Sequence, residues 1–211
     1  MQIEKVFERI PLAMLMVGKR RSGKTKLLTE MLNTKYFKKK FDRIYLFSPT
    51  VQLDSTWGDV RNKNVIFYDE YYDDTIEAIM KLQSAIPENE RKHQMIILDD
   101  FAEKLKGKRG HALEKLATKG RHFKLSFIFT TQKYNLAPTV IRNNIDEVIF
   151  FRVSNNMELK TIEEEYNQRD LDFGALLNSV TTGYNYLCVV KGKEDVYYRG
   201  NLLSFVKLKL E

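Results

Sequence analysis

The chain of 211 residues has a single cysteine, a single tryptophan and three histidines. With Cys188 alone no intrachain disulfide can form, and a reducing, intracellular site of action is expected. Cys188 falls in the apolar run Tyr186-Leu187-Cys188-Val189-Val190 and reads as a small buried hydrophobe. No apolar run approaches the length of a membrane span, and Met1-Gln2-Ile3-Glu4-Lys5 lacks the apolar core of a signal peptide. No histidine accompanies Asp69, Glu70, Asp73 and Asp74. Those carboxylates therefore read as favourable charge at a helix N-terminus, with a metal site as the weaker account. Internal repeats and low-complexity segments are absent. So is the guanine-reading N-K-x-D motif, because Asn62-Lys63-Asn64-Val65 has no aspartate.

What is present begins with Met14-Leu15-Met16-Val17 followed by Gly18-Lys19-Arg20-Arg21-Ser22-Gly23-Lys24-Thr25. An apolar strand, G-x-x-x-x-G-K-T and a helix from Lys24 to about Asn33 form a phosphate-binding loop in its required context. Gly18 and Gly23 let the backbone curl its N–H groups toward phosphate oxygens. The helix N-terminus adds partial positive charge. Lys24 is placed to reach the β- and γ-phosphates, and Thr25 to ligate Mg²⁺.

Met95-Ile96-Ile97-Leu98-Asp99-Asp100 reads as a buried parallel strand ending in two carboxylates. Ligands in such sheets sit at the carboxyl ends of strands. Asp99 is therefore expected beside Thr25 as a metal ligand. Asp100 is expected to face the cleft and deprotonate an attacking water. Lys124 to Gln132 reads as another buried strand ending in polar residues, and a Gln or Thr there, Gln132 foremost, is a candidate for contact with the γ-phosphate or the lytic water. Satisfaction of the strand end is the alternative.

Strands are also expected at Pro11–Val17, Asp42–Thr50, Asn64–Tyr68 and Glu147–Val153, with a closing hairpin of residues 184–190 and 196–199. Helices are expected at about 75–85, 111–118, 138–144, 156–165 and 171–180. Lys38-Lys39-Lys40 reads as a solvated turn, and Trp57 falls in a polar loop. Alternating strands and helices imply a mostly parallel sheet with helices on both faces. About 70 residues separate the loop from Met95, room for two strands beyond the metal-binding one. The Gln132 strand then inserts between the loop strand and the Asp99 strand. This gives an α/β P-loop NTPase of one domain over 1–211, with a core of about 11–154 and a C-terminal part of about 155–211. The order is similar to that of the additional-strand, catalytic-acid ATPases. Small-molecule kinases need an arginine-bearing lid, for which the acidic stretch 155–169 is poorly suited.

The formal net charge is +7, and it is concentrated. Between Phe101 and Lys133 nine basic residues face two acidic ones, so the remainder sums to zero. Such a local excess suits a polyanion-binding surface, and charge alone leaves a solvated helix face equally open.

The chain resembles the poxvirus-type genome-packaging ATPases, a branch of the FtsK–HerA superfamily. The matching pieces are Gly18–Thr25, Ile44–Thr50 with its Ser48-Pro49, Ile96–Phe101, Gly120-Arg121-His122, Thr131-Gln132, and Pro138–Phe151 with Arg142-Asn143-Asn144. Together they span about residues 12–152. The resemblance implies an ATP- and Mg²⁺-dependent motor. It would form a homo-oligomeric ring, a pentamer or hexamer, and drive double-stranded DNA into a preformed viral capsid at the host-cell site of assembly. Presence in the virion is left open. In such rings an arginine reaches the neighbour's γ-phosphate, and Arg121 and Arg142 are the candidates, Arg121 ahead. Arg20 and Arg21 could act within their own chain, though solvated side chains fit them better. DNA contact would fall to Lys104, Lys106, Lys108 and Arg109, in the loop directly after Asp100. A nucleotide kinase and a non-hydrolysing assembly factor are the alternative functions.

Overall fold

The computed structural model describes residues 3–101, 110–167 and 171–209. Among these residues nine strands form one sheet in the order β3-β2-β4-β5-β1-β6-β7-β8-β9. The strands are β1 Ala13–Val17, β2 Arg43–Phe47, β3 Val65–Tyr68, β4 Gln94–Leu98, β5 Leu125–Thr131, β6 Glu147–Phe150, β7 Tyr186–Val190, β8 Val196–Asn201 and β9 Ser204–Lys207. From β3 to β6 every neighbouring pair is parallel. From β6 to β9 every pair is antiparallel. β5 is inserted between β1 and β4 as expected: Leu15 pairs with Phe129 on one side of it, and Ile97 with Ile128 on the other.

Every residue of β1, β4 and β5 is buried, as unbroken apolar strands covered on both faces must be. Alternation along β1 sends Leu15 and Val17 to one face and Met14 and Met16 to the other. The Leu15 face is covered by α3 (Asp73–Ala85), α4 (His111–Lys119), α5 (Thr139–Asn143), α6 (Asn156–Tyr166) and α7 (Phe173–Val180), through Ile76, Leu116, Ile141, Ile162 and Phe173. The Met14 face carries α1 (Lys24–Asn33) and α2 (Lys35–Lys40), through Leu28, Met31 and Phe37. Beyond them Phe7 packs edge-on against Phe205 at 5.6 Å and closes this face over β8 and β9. Among the described residues no helix is long and apolar enough to cross a membrane.

Three local expectations need correction. Lys38, Lys39 and Lys40 are the exposed last turn of α2, which Phe37 anchors into the core. Trp57 is buried within a 3-10 turn, Ser55–Asp59, and belongs to the Met14-face core. The closing hairpin is a three-stranded meander. β9 follows a turn in which Leu202 adopts φ 46°, a conformation usually given to Gly or Asn. Asp73 does sit at a helix N-terminus. Its carboxylate accepts the Tyr71 hydroxyl and the Gly110 N–H, so its role is to tie α3 to α4.

Candidate nucleotide site

The loop between β1 and α1 is shaped by close approaches that only glycine allows. A Cβ on Gly18 would lie 2.6 Å from Ser22 Oγ and 2.7 Å from Phe151 Cβ. Gly23 has φ 104°, the left-handed turn from which α1 begins. The first turn of α1 has no acidic residue and no side-chain cap, so its N–H groups and dipole face the loop uncompensated. The N–H of Gly18 donates to Thr131 O at 3.1 Å and ties the loop to β5. Lys24 is buried and its Nζ donates to Gly18 O at 2.6 Å, so the lysine braces the curl from inside. Burial lowers its pKa, while the nearby charges of Asp100 and then Asp99 act in the opposite sense. Lys19, Arg20 and Arg21 are exposed, and Ser22 Oγ is buried with no partner among the described residues.

β4 delivers the acid pair to the same sheet edge. Asp99 is 2% exposed. Its Oδ1 accepts the Thr130 hydroxyl at 2.7 Å and its Oδ2 accepts the Ser48 hydroxyl at 3.0 Å. Burial pushes its pKa up to about 6, with Asp100 adding to the rise, while the two hydroxyls and Lys24 restrain it. Asp100 has φ 54° and donates its backbone N–H to Thr130 Oγ1 at 3.1 Å. Asp100 Oδ2 accepts from Gln132 Nε2 at 3.4 Å, and its Oδ1 is buried with no partner among the described residues. Five of the expected residues, Lys24, Thr25, Asp99, Asp100 and Gln132, thus meet at the carboxyl ends of β1, β4 and β5.

This donor set fits Mg²⁺. The ion takes hard oxygens, one or two carboxylates, and completes its shell with phosphate oxygens and water. The Thr25 hydroxyl and the Asp99 carboxylate are such donors, and no group of three or more acidic, histidine or cysteine ligands competes among the described residues.

The arginines separate. Arg142 is turned inward: its guanidinium pairs with Glu165, donates to Thr139 Oγ1 at 3.2 Å and lies over the Tyr134 ring at 5.0 Å. That is a carboxylate pairing within its own chain. Arg121 is exposed in the turn Gly120–Phe123 that leads into β5, at the opposite edge of the sheet from the loop. Lys104, Lys106, Lys108 and Arg109 lie outside the described residues.

Three residues near the site carried no assigned role in the sequence. Ser48 and Thr130 end strands flanking the metal-carboxylate position, and their hydroxyls were legible only once β2, β4 and β5 were seen as neighbours. Arg152 lies two residues beyond the end of β6. With Lys19, Gln132 and Lys133 it lines a cavity of about 140 Å³ beside the loop. Parallel pairing of β6 with β1 is the signal that places it at the phosphate edge.

A phosphate loop, an acid pair and a polar strand end between them define an additional-strand P-loop NTPase. The chain belongs to the poxvirus A32 protein family, whose sequence profile matches residues 3–190. It is 27% identical over 187 residues to uncharacterized protein 075L of Invertebrate iridescent virus 6, covering 86% of this chain and 71% of that one. In structure it is similar to the genome packaging NTPase B204 of Sulfolobus turreted icosahedral virus 2 in complex with AMPPCP. There the TM-score is 0.63 at 19% identity, over 85% of this chain and 92% of that one. It is likewise similar to B204, the DNA-packaging ATPase of Sulfolobus Turreted Icosahedral Virus. That match has a TM-score of 0.64 at 16% identity, over 86% of this chain and 93% of the other.

Proposed function

We propose that the chain is an ATP-hydrolysing motor that packages viral double-stranded DNA. The observation that carries this reading is β5, whose end joins Asp99 through Thr130 and Asp100 through Gln132. A nucleotide-binding scaffold needs the loop alone, whereas a hydrolase needs a carboxylate held where water attacks. Membership of the A32 family and likeness to packaging NTPases support the same reading.

Gly18 to Thr25 wrap the phosphates with backbone N–H groups, and Lys24 neutralises charge on the β- and γ-phosphates. Thr25 and Asp99 would hold Mg²⁺, which would neutralise developing phosphate charge. Asp100 accepts a proton from water as the water oxygen bonds to the γ-phosphorus. The bond from that phosphorus to the bridging oxygen breaks, and ADP leaves with the electron pair. Gln132 orients the water from the facing strand end. Arg121 serves a neighbour's γ-phosphate, so catalysis requires a ring, a pentamer or hexamer. Lys104, Lys106, Lys108 and Arg109 grip DNA phosphates without reading sequence. The capsid is the docking partner, in the infected cell.

Measuring ATP turnover with and without double-stranded DNA, alongside oligomeric state, tests the proposal. DNA-stimulated hydrolysis by an oligomer is the expected result. Phosphate transfer to a small acceptor, or ATP binding without turnover under both conditions, would refute it.

A further inference from the structure

The catalytic candidates lie to one side of the phosphate loop. In the sheet order, Asp100 and Gln132 stand at the ends of β4 and β5, before β1. A nucleotide laid across the loop with its terminal phosphate there must carry its base toward β6, β7 and β8. On that side opens a cleft of about 410 Å³, lined among others by Gly23, Leu27, Phe151, Tyr184, Asn201 and Leu202. Its volume lies in the range of about 300–1,000 Å³ usual for small-molecule sites.

The cleft has a rigid floor and an open wall. Phe151 fixes the floor: its N–H donates to Val17 O at 2.8 Å and its ring packs on Tyr186 at 5.4 Å. Tyr186 is itself 1% exposed and donates its hydroxyl to Leu202 O. Tyr184, two residues earlier, is 71% exposed. A large aromatic ring left in water needs a reason, and this one stands beside the loop: a Cβ on Gly23 would lie 3.8 Å from Tyr184 Cδ1. Leu202 is 44% exposed on the far wall, held there by the left-handed turn into β9. The few polar groups include the Asn201 amide, which donates to Asn185 Oδ1 at 2.9 Å and so is fixed in orientation.

We infer that this cleft is the nucleobase subsite, with Tyr184 stacking on the planar base and Leu202 covering its edge. The inference rests on the nucleotide reading of the loop. It makes the C-terminal strands part of the binding site, because Tyr184, Asn201 and Leu202 all lie beyond residue 155.

Calorimetric binding of ADP and of inorganic tripolyphosphate separates the base from the phosphates. Tyr184→Ala should weaken ADP binding about ten- to hundred-fold, the usual loss when a stacking ring is removed. It should leave tripolyphosphate affinity unchanged, and Tyr184→Trp should restore ADP. Unchanged ADP affinity in Tyr184→Ala, beside a wild type that binds, overturns the subsite and leaves the loop reading intact. Equal loss of both ligands overturns it too, since Tyr184 would then act on the loop. A wild type that binds neither ligand overturns the nucleotide reading itself, and the subsite with it.

Discussion

Thr130 donates its hydroxyl to Asp99 at 2.7 Å, so an uncharged residue on the inserted strand favours the ionised form of the metal-binding candidate against the larger effect of burial. Asp99 has a pKa of about 6, raised by burial from an ordinary value of 3.8. A carboxyl raised in the folded state contributes stability that is full below pH 3.8 and lost as pH rises through 6. Turnover runs the other way, because a metal needs the ionised form. ATPase activity should therefore fall below about pH 6. Thr130→Val removes a hydrogen bond to that carboxylate and should move the acid limb of the kcat/KM profile upward. An unmoved limb would show that Asp99 does not set it.

Asp100→Asn should keep nucleotide binding and lower kcat by about 10²–10⁴-fold, the range for loss of a general base. Asparagine tolerates the φ of 54° at this position, so melting temperature should hardly change. Retained turnover in this variant would remove Asp100 from the mechanism.

Glu147 begins β6 fully buried, and neither carboxylate oxygen has a partner among the described residues. Burial first, and Asp146 second, push its pKa up to about 9, against a lowering by Arg9. The folded state therefore holds a proton that the unfolded chain releases above pH 4.5. Stability should decline between pH 4.5 and 9, with a slope of up to about 1.4 kcal/mol per pH unit from this group. Urea denaturation across that range should show Glu147→Gln flattening the decline.

The two candidate finger arginines should part under substitution. Arg142→Ala takes the cation from both Glu165 and the Tyr134 ring, leaving Glu165 only the Tyr134 hydroxyl among the described residues, so it should destabilise the fold by about 1–3 kcal/mol. Arg121→Ala should leave the melting temperature alone and cut turnover of the assembled protein by about 10³-fold or more. Mixing Arg121→Ala subunits with Asp100→Asn subunits should restore part of that activity if the arginine acts across an interface. Absence of any rescue would place its action within one chain.

Replacing Lys104, Lys106, Lys108 and Arg109 with glutamine should weaken DNA binding uniformly across sequences. The slope of log affinity against log salt should shrink by about 0.9 for each DNA phosphate no longer neutralised. An unchanged slope would assign DNA binding to another surface.

Legibility in the sequence followed how local each signal is. Gly18 to Thr25, the run Ile96 to Asp100 and the polar end at Gln132 are short patterns, and the seventy or so residues before Met95, with the likeness to additional-strand ATPases, supplied their order in the sheet. The contacts of Ser48 and Thr130 with Asp99, and the place of Arg152, were hidden because they come from which strands lie side by side, not from neighbours in the chain. The inward pairing of Arg142 was hidden for a related reason: its partner Glu165 comes from a helix 23 residues on. β9 escaped because only Phe205 of its four residues is buried and its turn is built on leucines.

β5 is paired along both sides and buried throughout its seven residues. At about 3.3 Å per residue it spans on the order of 20 Å. Gln132 stands at one end and the Arg121 turn at the other. A strand locked between two neighbours cannot buckle, so it behaves as a stiff rod running from the acid pair to the turn that carries Arg121. If the proposed ring sets that turn against the next subunit's site, such a rod would carry a displacement at Asp100 to the neighbour with no hinge.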